Sequence, residues 1–197
     1  MPPDLSLNEV EGLAQKAARG AGLAWGLADD AGRSARWLAA HGVDWASSLL
    51  ALLDTPPPPS SCPMLQGCLL ADSAAAHAQF TFAQIVAPVW LLPPLFLAAA
   101  QHKQAFALHI GGIDVGGMPP LAAAPLPALA ALESAQVEAR IGGAAPLLPF
   151  AFPLAQGRPR IAAALAARLN DYAARTYVPA SAQSRARGAG SATRDDD

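Results

Sequence analysis

Hydrophobic and polar positions alternate in two different rhythms along this chain, and the rhythm changes near residue 60. Before that point apolar residues recur at helical spacing. Leu7, Val10, Ala14 and Ala17 form one stripe, the three-to-four-residue repeat of an amphipathic helix. Ser6-Leu-Asn-Glu9 precedes it as a capping box, in which the hydroxyl accepts from the Glu9 amide while the Glu9 carboxylate reaches back. Gly20-Ala-Gly22 supplies a stop, because glycine takes the left-handed cap conformation without steric cost. A second helix is predicted from about Trp25 to Ala40, with Ala28, Ala31, Ala35 and Leu38 on one face and Gly42 after its end. A third runs from Asp44 to Leu53. The small alanines permit close helix–helix approach, and Trp25, Trp37 and Trp45 supply bulk.

Pro56 to Pro59, Ser60, Ser61, Cys62 and Pro63 read as a linker over 55–63, since consecutive prolines favour an extended polyproline II segment. Beyond it the pattern is that of strands. Leu65 to Ala71 and Phe80 to Leu92 are apolar runs, and Pro88 limits the second to a break, bulge or edge. Pro93-Pro94 opens a short helix over Leu95 to Gln101. Ala105 to Ile110 and Ile113 to Val115, joined by Gly111-Gly112, read as a hairpin. Pro119 to Pro127 is expected to be loop. Gln136 to Ile141 alternates Val137, Ala139 and Ile141 with Gln136, Glu138 and Arg140, a half-buried strand. A last helix over 160–175 follows Pro159, with Ile161, Leu165, Leu169 and Tyr172 on one face. The expected fold class is therefore α+β: an N-terminal helical layer (6–54), a central, mostly antiparallel sheet in a sheet-rich middle (64–157), and a C-terminal helix, forming a single domain over 1–177. Residues 178–197 are Gly-, Ser- and Arg-rich and read as a flexible tail.

Charge sharpens this division. Residues 1–54 hold four basic and seven acidic side chains, residues 55–157 only Lys103 and Arg140 against Asp72, Asp114, Glu133 and Glu138, and residues 158–197 seven arginines and four aspartates. The middle must be buried between layers, shared with a partner or set against lipid. Residues 73–102 hold no Asp, Glu, Lys or Arg and are long enough to span a bilayer. Gln79, Gln84, Gln101 and the prolines interrupt the stretch, which favours buried sheet. The formal charge of −2 over 197 residues excludes the basic excess of a nucleic-acid binder. Two cysteines exclude a disulfide scaffold. The N-terminus carries no apolar targeting segment, so the expected compartment is the cytoplasm.

The candidate chemistry is sparse. Arg19-Gly-Ala-Gly22 and Arg187-Gly-Ala-Gly190 are the same tetrapeptide, and Arg185 precedes the second. Arginine beside glycine-exposed amides makes a cradle for a phosphate or carboxylate, so Arg19, Gly20, Gly22, Arg185, Arg187, Gly188 and Gly190 form a candidate anion site. Helix stop and tail are the alternative account of them. Neither copy has the Gly-Lys-Ser/Thr ending of a P-loop. His41, His77, His102 and His109 are scattered without metal-ligand spacing, so no metal and no cofactor is expected, and His109 reads as a structural residue within a strand. No Gly-x-Ser-x-Gly elbow or Cys-x-x-Cys motif is present. Asp29-Asp30 lie near the start of the second helix, where they favour its dipole.

Two sets of segments carry a family resemblance. Leu5-Ser-Leu-Asn-Glu-Val-Glu11, Lys16-Ala-Ala-Arg-Gly-Ala-Gly22, Trp25-Gly-Leu-Ala-Asp-Asp-Ala-Gly32 and Arg36-Trp-Leu38 stand at the start. Arg175-Thr-Tyr-Val-Pro-Ala-Ser181, Ser184-Arg185 and Gly188-Ala-Gly190 stand at the end. Together they resemble a bacterial family known as domain of unknown function 3726. Its endings read Asp-Asn-Asp where this chain has Asp195-Asp-Asp197. The resemblance implies no activity, but it implies a tail ordered against the body. Three function classes follow. The leading one is a binding or accessory protein that self-associates or binds a protein partner. The second is an enzyme on a small anionic ligand, with Asp29 or Asp30 as base. The third is a membrane-associated protein acting through residues 73–102.

Overall fold

The computed structural model describes residues 3–73, 78–102, 106–116, 125–141 and 154–177. Among these residues, seven α-helices flank one four-stranded sheet in an α+β arrangement: α1 (Leu7–Gly20), α2 (Trp25–Ala40), α3 (Trp45–Asp54), α4 (Pro63–Asp72), β1 (Ala78–Val86), α5 (Leu92–His102), β2 (Phe106–Ile110), β3 (Ile113–Gly116), α6 (Pro125–Ala130), β4 (Ser134–Ile141) and α7 (Ala163–Ala174).

The first helix forms as its sequence dictates. Ser6 Oγ accepts from the Glu9 amide at 3.2 Å, and Glu9 Oε2 accepts from the Ser6 amide at 2.6 Å. These bonds satisfy two of the four amides that a helix start leaves without partners. They also hold the Glu9 carboxyl below the usual carboxylate range, with Arg158 a lesser contributor. Asp44 caps α3 by accepting from the Ser47 amide. Helix α1 buries Val10, Ala14, Ala17 and Ala18 against α2 and α7. The interface is made of alanine and glycine, so the backbones come close. A Cβ added at Gly20 would stand 1.8 Å from the Tyr172 carbonyl oxygen of α7.

Between residues 55 and 73 the structure corrects the sequence reading. The linker is extended at Pro58, makes a 3-10 turn over Pro59–Ser61, and then enters α4. The expected strand over Leu65 to Ala71 is this helix. Pro63 occupies its first turn, where the missing amide costs nothing. Pro63, Met64, Gly67 and Leu70 are buried, a helical repeat that a short apolar run conceals. The sheet-rich middle thus begins at β1. The strand expected to reach Leu92 ends at Val86, where Ala87 takes a left-handed conformation (φ 43°) and Pro88–Leu91 form a 3-10 turn. Leu92, Pro93 and Pro94 then make the first turn of α5, so that helix begins three residues before Leu95. The end of the expected Pro119–Pro127 loop is the start of α6, and the C-terminal helix spans Ala163–Ala174.

All strand pairs are antiparallel, in the order β1-β4-β2-β3. The hairpin around Gly111-Gly112 and the alternating strand at 136–141 are as the sequence predicts. One face of the sheet is inside: Ile85, Phe106, Leu108, Ile110, Val115, Val137, Ala139 and Ile141 are buried. Phe106 meets Phe96 of α5 edge to face, and Phe96 stacks on Trp37 of α2. This aromatic chain joins the sheet to the helical layer. Trp90 is fully buried and its indole donates to Ser48 Oγ at 2.5 Å. Burying each such large apolar side chain contributes about 2 kcal/mol. Much of the described part of the low-charge middle is therefore absorbed by the protein's own core. Among the described residues no helix is long and apolar enough to cross a membrane. Residues 78–102 divide instead among a strand, a 3-10 turn and a helix.

Candidate functional site

The first Arg-Gly turn is built as a helix ending. Gly22 takes the left-handed conformation (φ 101°). The amides of Ala21, Gly22 and Leu23 donate to the carbonyls of Ala17, Arg19 and Ala18. Arg19 Nη1 donates to the Leu23 carbonyl at 2.7 Å, and its guanidinium lies 4.5 Å from the centre of the Trp25 ring. Gly20 serves the contact with α7. Arg185, Arg187, Gly188 and Gly190 lie outside the described residues, as does the tail they belong to. Asp29 accepts from Gln15, and Asp30 accepts from Arg33 at 2.6 Å and from the Cys68 thiol at 3.3 Å. Both lie beyond the first turn of α2 and are occupied by neighbouring side chains. Burial first, and then the bond to Asp30, pushes the Cys68 thiol up to about 12, so it stays protonated and is a poor nucleophile.

A different constellation stands on the open face of the sheet. The register places Thr81, Glu138, His109 and Asp114 in one row across all four strands. The adjacent row is Gln79, Arg140, Ala107 and Gly116. His109 Nδ1 and Asp114 Oδ1 are 2.8 Å apart. Ala107 and Gly116 are too small to fill their half of the second row. The result is a shallow polar depression of about 340 Å³ bounded by His109, Asp114, Glu138 and Arg140. Gly116 is fixed there by geometry: its φ is 90°, and a Cβ would stand 2.2 Å from the Phe106 carbonyl oxygen. Period-two alternation aims all four functional side chains outward. Arg140 differs from every other described arginine. Arg33, Arg36, Arg158, Arg160 and Arg168 are paired with carboxylates. Arg19 and Arg175 lie over aromatic rings. Arg140 has no hydrogen bond, ion pair or ring contact among the described residues.

In the sequence, Arg140 and Glu138 fall on the solvent side of a strand and His109 reads as structural. The alternation did reveal their common face. Which residues of β2 and β3 stand beside them depends on long-range register, which no local signal encodes.

An apolar trough of about 390 Å³ lies elsewhere, lined by Trp37, Ala40, His41, Leu97 and Leu154 with Glu11, Arg33 and Arg36 at its rim. Leu97 and Leu154 are exposed by 49% and 70%. Among the described residues no group of three or more His, Cys, Asp or Glu is placed to hold a metal ion.

No curated protein and no solved structure matches the chain. The matched region covers α1 to α4 and the first six residues of β1, and leaves the four side chains of the sheet-face depression outside it. Over residues 5–83 the chain matches the family described as protein of unknown function (DUF3726), the family that its opening segments resemble.

Proposed function

We propose that this is a binding protein that takes a small anionic or polar ligand on the open face of its sheet, with Arg140 as the anchor. The observation that supports this reading is the contrast among the arginines. A guanidinium is a strong donor fork for carboxylate or phosphate, and this one has no partner among the described residues and stands beside a floor cleared by Ala107 and Gly116. The two free cysteines, Cys62 and Cys68, agree with work in the reducing cytoplasm. Titration of the ¹⁵N-labelled protein with acetate or inorganic phosphate tests the site. Shifts centred on Ala107–His109, Asp114–Gly116 and Glu138–Arg140, absent in Arg140→Gln, are expected. Spectra unchanged by these anions and equally by a polar ligand that carries a carboxylate, or shifts that survive the substitution, would remove it.

A second reading, association with a protein partner or a second copy, is favoured by the trough, because Leu97 and Leu154 stand exposed beside Trp37. Native mass spectrometry would show an oligomer that Leu154→Asp returns to monomer. A wild-type monomer at high concentration, with no change in any retained partner, would count against it.

A further inference from the structure

We infer that the ligand of the sheet-face depression is a short zwitterion, a molecule with a carboxylate at one end and an ammonium at the other; this rests on the binding reading above. The charges around the depression are mixed and ordered. Arg140 stands in one row, and Glu138, His109 and Asp114 stand in the next. The single hydrogen bond among them joins His109 to Asp114. Glu138, like Arg140, has no partner among the described residues. Glu138 and Arg140 are two residues apart on β4 and share one face. Their Cα atoms are therefore about 7 Å apart along the strand. Asp114 lies two strands away, about 10 Å across the sheet.

A simple anion anchored on Arg140 would also face the Glu138 carboxylate, whose repulsion weakens its attraction. A simple cation at Glu138 and Asp114 would meet the reverse opposition from Arg140. A molecule with both charges matches both rows at once. The row spacing selects its length: an ammonium and a carboxylate separated by about 5–7 Å span adjacent rows, whereas those of an α-amino acid sit too close together. The small residues Ala107 and Gly116 leave room for an aliphatic linker over the second row. The ligand class is thus a short ω-amino carboxylate or a small dipeptide.

Calorimetric and ¹⁵N-shift titrations with 4-aminobutyrate, glycine, acetate and ethylamine test this on the intact chain. The expected result is that 4-aminobutyrate binds at least tenfold more tightly than the other three. Glu138→Gln and Arg140→Gln should each weaken it at least tenfold, and Glu138→Gln should strengthen acetate. Both positions are exposed, and unchanged circular dichroism would verify that the variants fold. Acetate binding as tightly as 4-aminobutyrate, with loss in Arg140→Gln, would overturn the zwitterion while leaving the anion site standing. Ethylamine or glycine binding as tightly as 4-aminobutyrate would overturn it as well. No shift of the depression's amides with any of the four would overturn both.

Discussion

The helical layer and the sheet use their charged residues in opposite ways. In the helical layer each described arginine is tied down. Arg36 bonds Asn8 and Glu11, Arg158 bonds Glu9, and Arg168 bonds Asp54, which also accepts from the Tyr172 hydroxyl at 2.9 Å. These contacts join α1 to α2, the 154–162 segment to α1, and α7 to α3. They are exposed pairs, worth little singly, and their role is to fix how the alanine-rich helices sit on one another. On the sheet, the apolar face does the holding, and the polar face carries a guanidinium and a carboxylate without partners among the described residues. The difference teaches where to look for function. Polar groups engaged in holding the fold cannot also be offered to a ligand, whereas an ordered and unengaged set can.

The largest effect is expected in the buried core. Leu49→Ala should cost about 3–4 kcal/mol, the usual result of removing a fully buried leucine, read from the urea midpoint. Gly20→Ala follows, at about 3 kcal/mol, because its Cβ cannot share space with the Tyr172 carbonyl and α1 must move off α7. If that variant keeps wild-type stability, the close approach of these two helices is wrong. Arg168→Gln should lower stability by about 0.5 kcal/mol, whereas Arg140→Gln should change it by less than that and still abolish ligand shifts.

The smallest effect is the pH dependence of the α3–α7 contact. The Arg168 guanidinium, then the Tyr172 hydroxyl, hold the Asp54 carboxyl below the ordinary range. Its contribution is therefore present above about pH 4 and is lost as pH falls through the lowered folded value. Burial, then the bond to Asp54, raises the Tyr172 phenol. That contribution is present below about pH 10 and is lost as pH rises through the folded value. Tm measured from pH 2.5 to 11 should fall at both ends, and Asp54→Asn should flatten the acid end most, because the burial of Tyr172 remains. Unchanged slopes in that variant would assign them to other groups.

How much of this was legible in the chain follows from where each signal resides. Helices α1 to α3 carry local signs: Ser6 and Glu9 at a start, Asp44 at another, Gly22 and Gly42 after two ends. The hairpin is equally local, through Gly111-Gly112. Helix α4 was hidden because Leu65 to Ala71 is apolar on nearly every position and fits either period, so Pro63 was the only sign. The end of β1 was misplaced because the left-handed turn falls on Ala87, a residue that rarely adopts it. The candidate site was the least legible part. The anion cradle read from Arg19 and its glycines came from a repeated tetrapeptide, and in the structure those residues cap a helix and admit α7. The sheet-face set comes from three strands, β2, β3 and β4, and only their register assembles it. The family match ends within β1 and so bears on α1 to α4 and the start of the sheet.

The measurement that bears most directly on this account is backbone ¹⁵N shift mapping of the wild-type protein with 4-aminobutyrate. The account predicts a single contiguous patch on the open face, running through Gln79–Thr81, Ala107–His109, Asp114–Gly116 and Glu138–Arg140, with the helical layer silent. Shifts centred on the Arg19–Leu23 turn or on the trough at Trp37, Leu97 and Leu154, or none at all, would contradict it.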